Sequence, residues 1–97
     1  MAKQLIISQE AISDLSEIWD YIARDNQRAA DRFIDALYAK CQEILELESI
    51  GRSREELFEG LRSLPYRKYV IFFLRNHGDV EIVRILHGAR DIESQFE

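Results

Sequence analysis

The side chains best suited to chemistry in this 97-residue chain are two histidines and several arginines in its second half. Imidazole is the only unperturbed side chain that changes charge near neutrality, so His87 and His77 are the candidates for proton transfer. Arg62, Arg84 and Arg90 supply fixed cations, and Glu56 a carboxylate. Cutting RNA through its 2′-hydroxyl needs a general base, a general acid and a cation on the phosphate. His87, with Arg62 and Arg90 as phosphate contacts and Glu56 as a second proton carrier, is one way to meet that need. The plainer reading makes His87 a strand-end residue whose ring orients the following loop by hydrogen bonding.

Other chemistries find less support. One cysteine and two histidines, with no ligand-type spacing, do not make a metal centre. The chain has no Gly-rich phosphate loop and no G-x-S-x-G nucleophile turn, and it implies no cofactor. Cys41 falls on an apolar helical stripe, where a thiol packs as a small hydrophobe. A single cysteine also excludes an internal disulfide.

The composition bounds the partners. Ninety-seven residues suffice for one domain, 1–97, with 46% hydrophobic and 32% charged content typical of a globular chain. The apolar run Leu5-Ile6-Ile7 is too short for a signal core or a membrane span, so a cytoplasmic location with no membrane partner is the expectation. A net charge of −5 argues against direct DNA binding. That charge is unevenly spread: residues 1–50 hold five Lys/Arg and ten Asp/Glu, whereas residues 60–90 hold six cations and two acids. Two faces with different partners are the expectation. Arg62, Arg67, Lys68 and Arg90 are the basic residues expected to touch a target or partner.

The elements that must position these residues follow from spacing. Residues 3–7 predict a first strand. Ser8 caps a helix whose apolar face is Ala11, Ile12, Leu15, Ile18, Trp19 and Ile22, with Glu10 and Asp14 near its positive end. Trp19 is expected as a core anchor. Asp25 or Asn26 caps a second helix with the stripe Ala30, Phe33, Ile34, Leu37, Cys41, Ile44 and Leu45, closed by Gly51. The short link makes an antiparallel helical hairpin.

Beyond Gly51 the period changes. Ser53 to Glu56 predicts one helical turn, Gly60 to Leu64 a strand, and Pro65 to Lys68 a tight turn. Tyr69 to Leu74 and Val80 to Leu86 predict strands joined by a hairpin turn at Asn76 to Asp79. Asp91 to Glu97 predicts a last helical turn. On simple alternation Arg84 shares a face with Val80, Ile82 and Leu86, opposite Glu81, Val83, Ile85 and His87. An arginine in an apolar stripe needs a carboxylate partner, and an ion pair is the expectation. The fold class is α+β, a helical hairpin laid on an antiparallel sheet.

These segments resemble the ParE branch of the RelE/ParE toxins. The resemblance rests on Ala11-x-x-Asp14-Leu15-x-x-Ile18-Trp19-x-Tyr21-Ile22-Ala23 and on Gly51-Arg52-x-Arg54-x-Glu56-Leu57-x-x-Gly60-Leu61-Arg62-Ser63. It continues through Tyr69-Val70-Ile71-Phe72-Phe73 and Arg84-Ile85-Leu86-His87-Gly88-Ala89-Arg90-Asp91, in the family's order along nearly the whole chain. It implies the toxin of a bacterial type II toxin–antitoxin system, often described as plasmid stabilisation. It further implies poisoning of DNA gyrase, neutralisation by a ParD-like ribbon-helix-helix antitoxin, and no catalytic residues.

Relatives that cleave ribosome-bound mRNA carry an arginine just after the aromatic that opens the central strand. Here that neighbour of Tyr69 is Val70, which neither holds a phosphate nor moves a proton. Their preceding run of lysines is also missing, since Arg62 stands alone among Gly60, Leu61, Ser63 and Leu64. The mRNA endonuclease with His87, Arg62 and Arg90 therefore ranks second. A non-toxic antitoxin-binding module is a third reading.

Overall fold

A computed structural model describes residues 2–97. The chain runs β1 (Leu5–Ile7), α1 (Gln9–Ala23), α2 (Gln27–Glu46), β2 (Arg52–Ser53), β3 (Arg62–Tyr66), β4 (Tyr69–Asn76) and β5 (Asp79–His87), then a 3-10 turn at Glu93–Phe96. It is an α+β fold with one five-stranded sheet in the order β1-β5-β4-β3-β2. Among the described residues, no helix is long and apolar enough to cross a membrane.

Both helices begin where a polar side chain meets the first free amides. Ser8 Oγ accepts from Ala11 N at 3.0 Å and donates to Val83 O at 2.8 Å, so the cap also fastens α1 to β5. Asn26 Oδ1 accepts from Ala29 N at 3.0 Å to start α2. The core between hairpin and sheet contains Ala11, Ile18, Leu37, Cys41, Ile44, Ile71, Phe73, Val80, Ile82 and Ile85. A fully buried side chain of this size contributes roughly 1.5–3 kcal/mol. A second apolar cluster, Leu61, Phe72 and Leu86, lies on the opposite face under Leu57, Val70, Ile92 and Phe96.

The structure corrects several expectations. The sheet is mixed, because β1 pairs with β5 in parallel while the other neighbours are antiparallel. Gly51 does not close α2, which ends at Glu46 with Leu47 as its cap. The last carbonyls of α2 are met instead by Arg75, which donates to Ile44 O and Leu47 O, both at 2.7 Å. Gly51 has φ +90° beside β2, and a Cβ there would stand 2.7 Å from Phe73 Cζ. Residues 53–56 form no helix: Ser53 ends β2 and residues 55–57 make a turn. Trp19 is only half-buried, its indole donating to Asp31 Oδ1 at 2.8 Å, and Ile12 is exposed.

Pro65 lies inside β3, and only Arg67 and Lys68 form the turn. Because β2 pairs only with Arg62 and Ser63, the outer side of β3 has no strand neighbour at Pro65, and its missing N–H leaves no ladder bond unmade. The β5 alternation also breaks. Phe72 faces Arg84 and Phe73 faces Ile82, so Val83 is the extra residue of a bulge. Val80, Ile82 and Ile85 consequently all enter the helix-facing core, while Val83 and Leu86 join the other cluster.

Candidate functional site

The bulge sets the geometry of the charged residues on β5. Arg84 donates from Nε to Asp14 Oδ2 at 2.8 Å and from a terminal nitrogen to Oδ1 at 2.9 Å. The Ile85 N–H donates to the same carboxylate at 2.9 Å. Asp14 is buried, and its hydrogen bond raises the Arg84 pKa above the ordinary value. This bidentate pair joins α1 to β5 and is the ion pair that an arginine among apolar neighbours demanded. Its partner was readable only indirectly: Asp14 sits three after Ala11 and four before Ile18, within the buried stripe of α1.

Arg62 is also tied to the backbone. It donates to Gly51 O at 2.6 Å, and its Nε is buried without a partner. Arg62 faces Phe73 across the β3–β4 ladder, whereas His87 faces Tyr69 across β4–β5. The two positions are four residues apart along β4, roughly 13 Å. Glu56 is elsewhere again, bonded to Arg54 Nε at 2.8 Å, which holds its carboxyl below the ordinary value. Arg62, Glu56 and His87 are therefore not brought together. Among the described residues no cluster of His, Cys, Asp and Glu is placed to hold a metal.

What does converge is Tyr69, His87 and Arg90. With Asp14, Glu17, Ile18 and Ile85 they line a cavity of about 160 Å³ at the end of the sheet beside α1. The His87 ring stacks edge-on against Tyr69 at 5.3 Å, and its Nδ1 accepts from Ala89 N at 3.1 Å. Burial pushes the Tyr69 hydroxyl pKa up. Lys68 O accepts from Gly88 N at 2.7 Å, which holds the loop carrying Arg90 against the β3–β4 turn. Arg90 in the cavity lining and Arg67 and Lys68 on the adjoining β3–β4 turn are exposed and give this end of the sheet a basic corner, from which Arg62 is absent. Glu17 and Ile18 were not anticipated as neighbours of His87, because the bulge that turns His87 toward α1 leaves no mark in the alternation.

The remaining motif residues mostly build the frame. Leu57 covers the Phe72 cluster, Ser63 is buried in β3, and the Gly60 N–H donates to a Glu55 carboxylate oxygen. Asp91 O accepts from Ser94 Oγ at 2.9 Å, shaping the final turn, and Arg52 is exposed on β2. Val70 and Leu86 face away from the helices into the apolar cluster, where Phe96 packs edge-on against Phe72 at 5.0 Å. A cation does lie over this face, Arg54 at 5.5 Å from the Phe72 ring, but Glu56 neutralises it.

A two-helix hairpin against a five-stranded mixed sheet is the RelE/ParE-like fold. A solved structure described as "Chromosomal ParDE TA system from P. aeruginosa" superposes with a TM-score of 0.72 at 19% identity, covering 88% of this chain and 95% of that one. Residues 5–92 match the family described as "ParE toxin of type II toxin-antitoxin system, parDE". "Toxin RelE2" of Caulobacter vibrioides is 33% identical over 87 residues, 90% of this chain and 97% of that protein. The chain belongs to the ParE toxin family of type II toxin–antitoxin systems.

Proposed function

We propose that this toxin arrests growth as a docking protein that poisons DNA gyrase, without catalytic machinery of its own, and that a ParD-like ribbon-helix-helix antitoxin neutralises it in the cytoplasm. The observation that carries the reading is the separation of Arg62 from His87, since phosphate-bond cleavage needs its cation and its proton carriers around one phosphate. The apolar environment of Val70 and Leu86 supports it further, for no cation from the strand itself projects there. An apolar groove lined by Ile7, Leu15, Ile34, Leu37, Tyr38 and Cys41, about 380 Å³, suits an antitoxin segment with apolar anchors. Purified gyrase incubated with supercoiled or relaxed DNA and excess folded toxin should lose supercoiling activity and accumulate cleaved DNA. Unimpaired gyrase under those conditions would remove the reading.

A second reading is favoured by one observation, the convergence of His87, Tyr69 and Arg90 on a single cavity. These could serve an mRNA endonuclease without Arg62. In that case His87→Ala abolishes growth arrest and message cleavage while antitoxin binding persists. A fully toxic His87→Ala chain excludes it.

A further inference from the structure

The cavity beside α1 has a donor pattern that the frame does not use. Because Ala89 N–H donates to His87 Nδ1, the proton of the neutral ring sits on Nε2. Among the described residues, the Tyr69 hydroxyl, His87 Nε2 and the Arg90 guanidinium donate to no acceptor in the protein, yet all three residues line one space. Asp14 lines it too, but both its oxygens are engaged by Arg84 and Ile85 N–H. Ile18 and Ile85 add apolar lining, and Glu17 is the remaining charge, exposed on α1.

We infer that this cavity receives one carboxylate side chain, an aspartate or glutamate, presented by the antitoxin; the inference rests on the toxin–antitoxin reading above. Three donors, one of them a guanidinium, complement a single acceptor-only anion. The volume of about 160 Å³ takes one side chain. A nucleic-acid phosphate fits less well, since it arrives within a polyanion that Glu17 and the net charge of −5 both repel. The position also explains neutralisation. A carboxylate on Arg90 lays the antitoxin over the corner where Arg67 and Lys68 are exposed, and so hides the cations available to a target.

The test is the affinity of a ParD-like antitoxin that neutralises this toxin in growing cells for the full chain and three variants, by titration calorimetry at two salt concentrations. Arg90→Gln should bind about tenfold or more weakly, because it loses a charge-assisted bond. Tyr69→Phe keeps the ring against His87 and removes only the hydroxyl, so it should fold normally and bind about threefold to tenfold more weakly. Glu17→Gln should bind about twofold to fivefold more tightly, because a like charge is gone. Higher salt should shrink the Arg90 and Glu17 effects and leave the Tyr69 effect. Antitoxin affinity unchanged by Tyr69→Phe and Arg90→Gln, or weakened by Glu17→Gln, overturns the inference while the toxin–antitoxin reading stands. Weakened gyrase inhibition with unchanged antitoxin affinity overturns it likewise and gives the cavity to the target. No binding by the unsubstituted chain defeats the antitoxin reading and this inference together.

Discussion

The two ends of the β3–β5 sheet use the same residue type in opposite ways. At the Phe73 end, one terminal nitrogen of Arg62 donates to Gly51 O and one of Arg75 donates to Ile44 O and Leu47 O, while Arg62 Nε and Arg75 Nε and Nη1 are buried without partners. At the Tyr69 end, Arg67, Lys68 and Arg90 are exposed and make no ion pair among the described residues. The difference lies in the backbone nearby. A helix terminus and a left-handed glycine leave carbonyls that need donors, and an arginine within reach is consumed by them. Counting charge along the sequence therefore overstates the cations that a partner can meet.

Substitutions at the structural positions should cost stability, and those at the open corner should not. The largest loss is expected for Asp14→Ala, which strands Arg84 and the Ile85 N–H; denaturant unfolding should show a decrease of about 3 kcal/mol or more. Adding Arg84→Leu should recover part of it, and a single change as mild as a surface mutation would refute the clamp. Gly51→Ala comes next, at about 2–3 kcal/mol, from a contact of 2.7 Å with Phe73 combined with φ +90°. Arg75→Ala should cost about 1–2 kcal/mol by leaving Ile44 O without its donor and Leu47 O with the Ile50 N–H alone, whereas Arg90→Ala should stay within about 0.5 kcal/mol. Equal losses for these two arginines would dissolve the distinction between the ends.

The last effect is absent at neutral pH and concerns alkaline conditions alone. Burial pushes the Cys41 thiol up to about 11 from 9.0. The folded state resists forming the thiolate, so this contribution is intact below pH 9 and is lost as pH rises from there toward 11. The thiol should ignore a disulfide reagent at pH 8 until denaturant is added. Rapid labelling of the native chain would place Cys41 outside the core.

Local signals were legible and long-range ones were not. Ser8 and Asn26 announce their helices because a cap acts within three residues, and the turn at Asn76 to Asp79 announces itself through His77 and Gly78, both at positive φ. Arg84 advertised its need for a carboxylate, but Asp14 lies 70 residues away. Pro65 looked like a turn residue because its tolerance depends on how short β2 is, and β2 has two residues. The Val83 bulge reversed the faces of Ile85 and His87, since simple alternation has no means of showing one extra residue. The tie of Arg62 to Gly51 O was equally hidden, because its acceptor is a main-chain carbonyl, which no side-chain pattern displays.

Inducing the toxin without antitoxin in growing cells, and mapping gyrase-linked DNA breaks alongside the ends of ribosome-bound messages, puts the docking account to its most direct trial. The account predicts breaks that accumulate with growth arrest while messages stay whole, in the unsubstituted chain and in His87→Ala alike. Cut messages with unbroken DNA, and full messages once His87 is replaced, would contradict it.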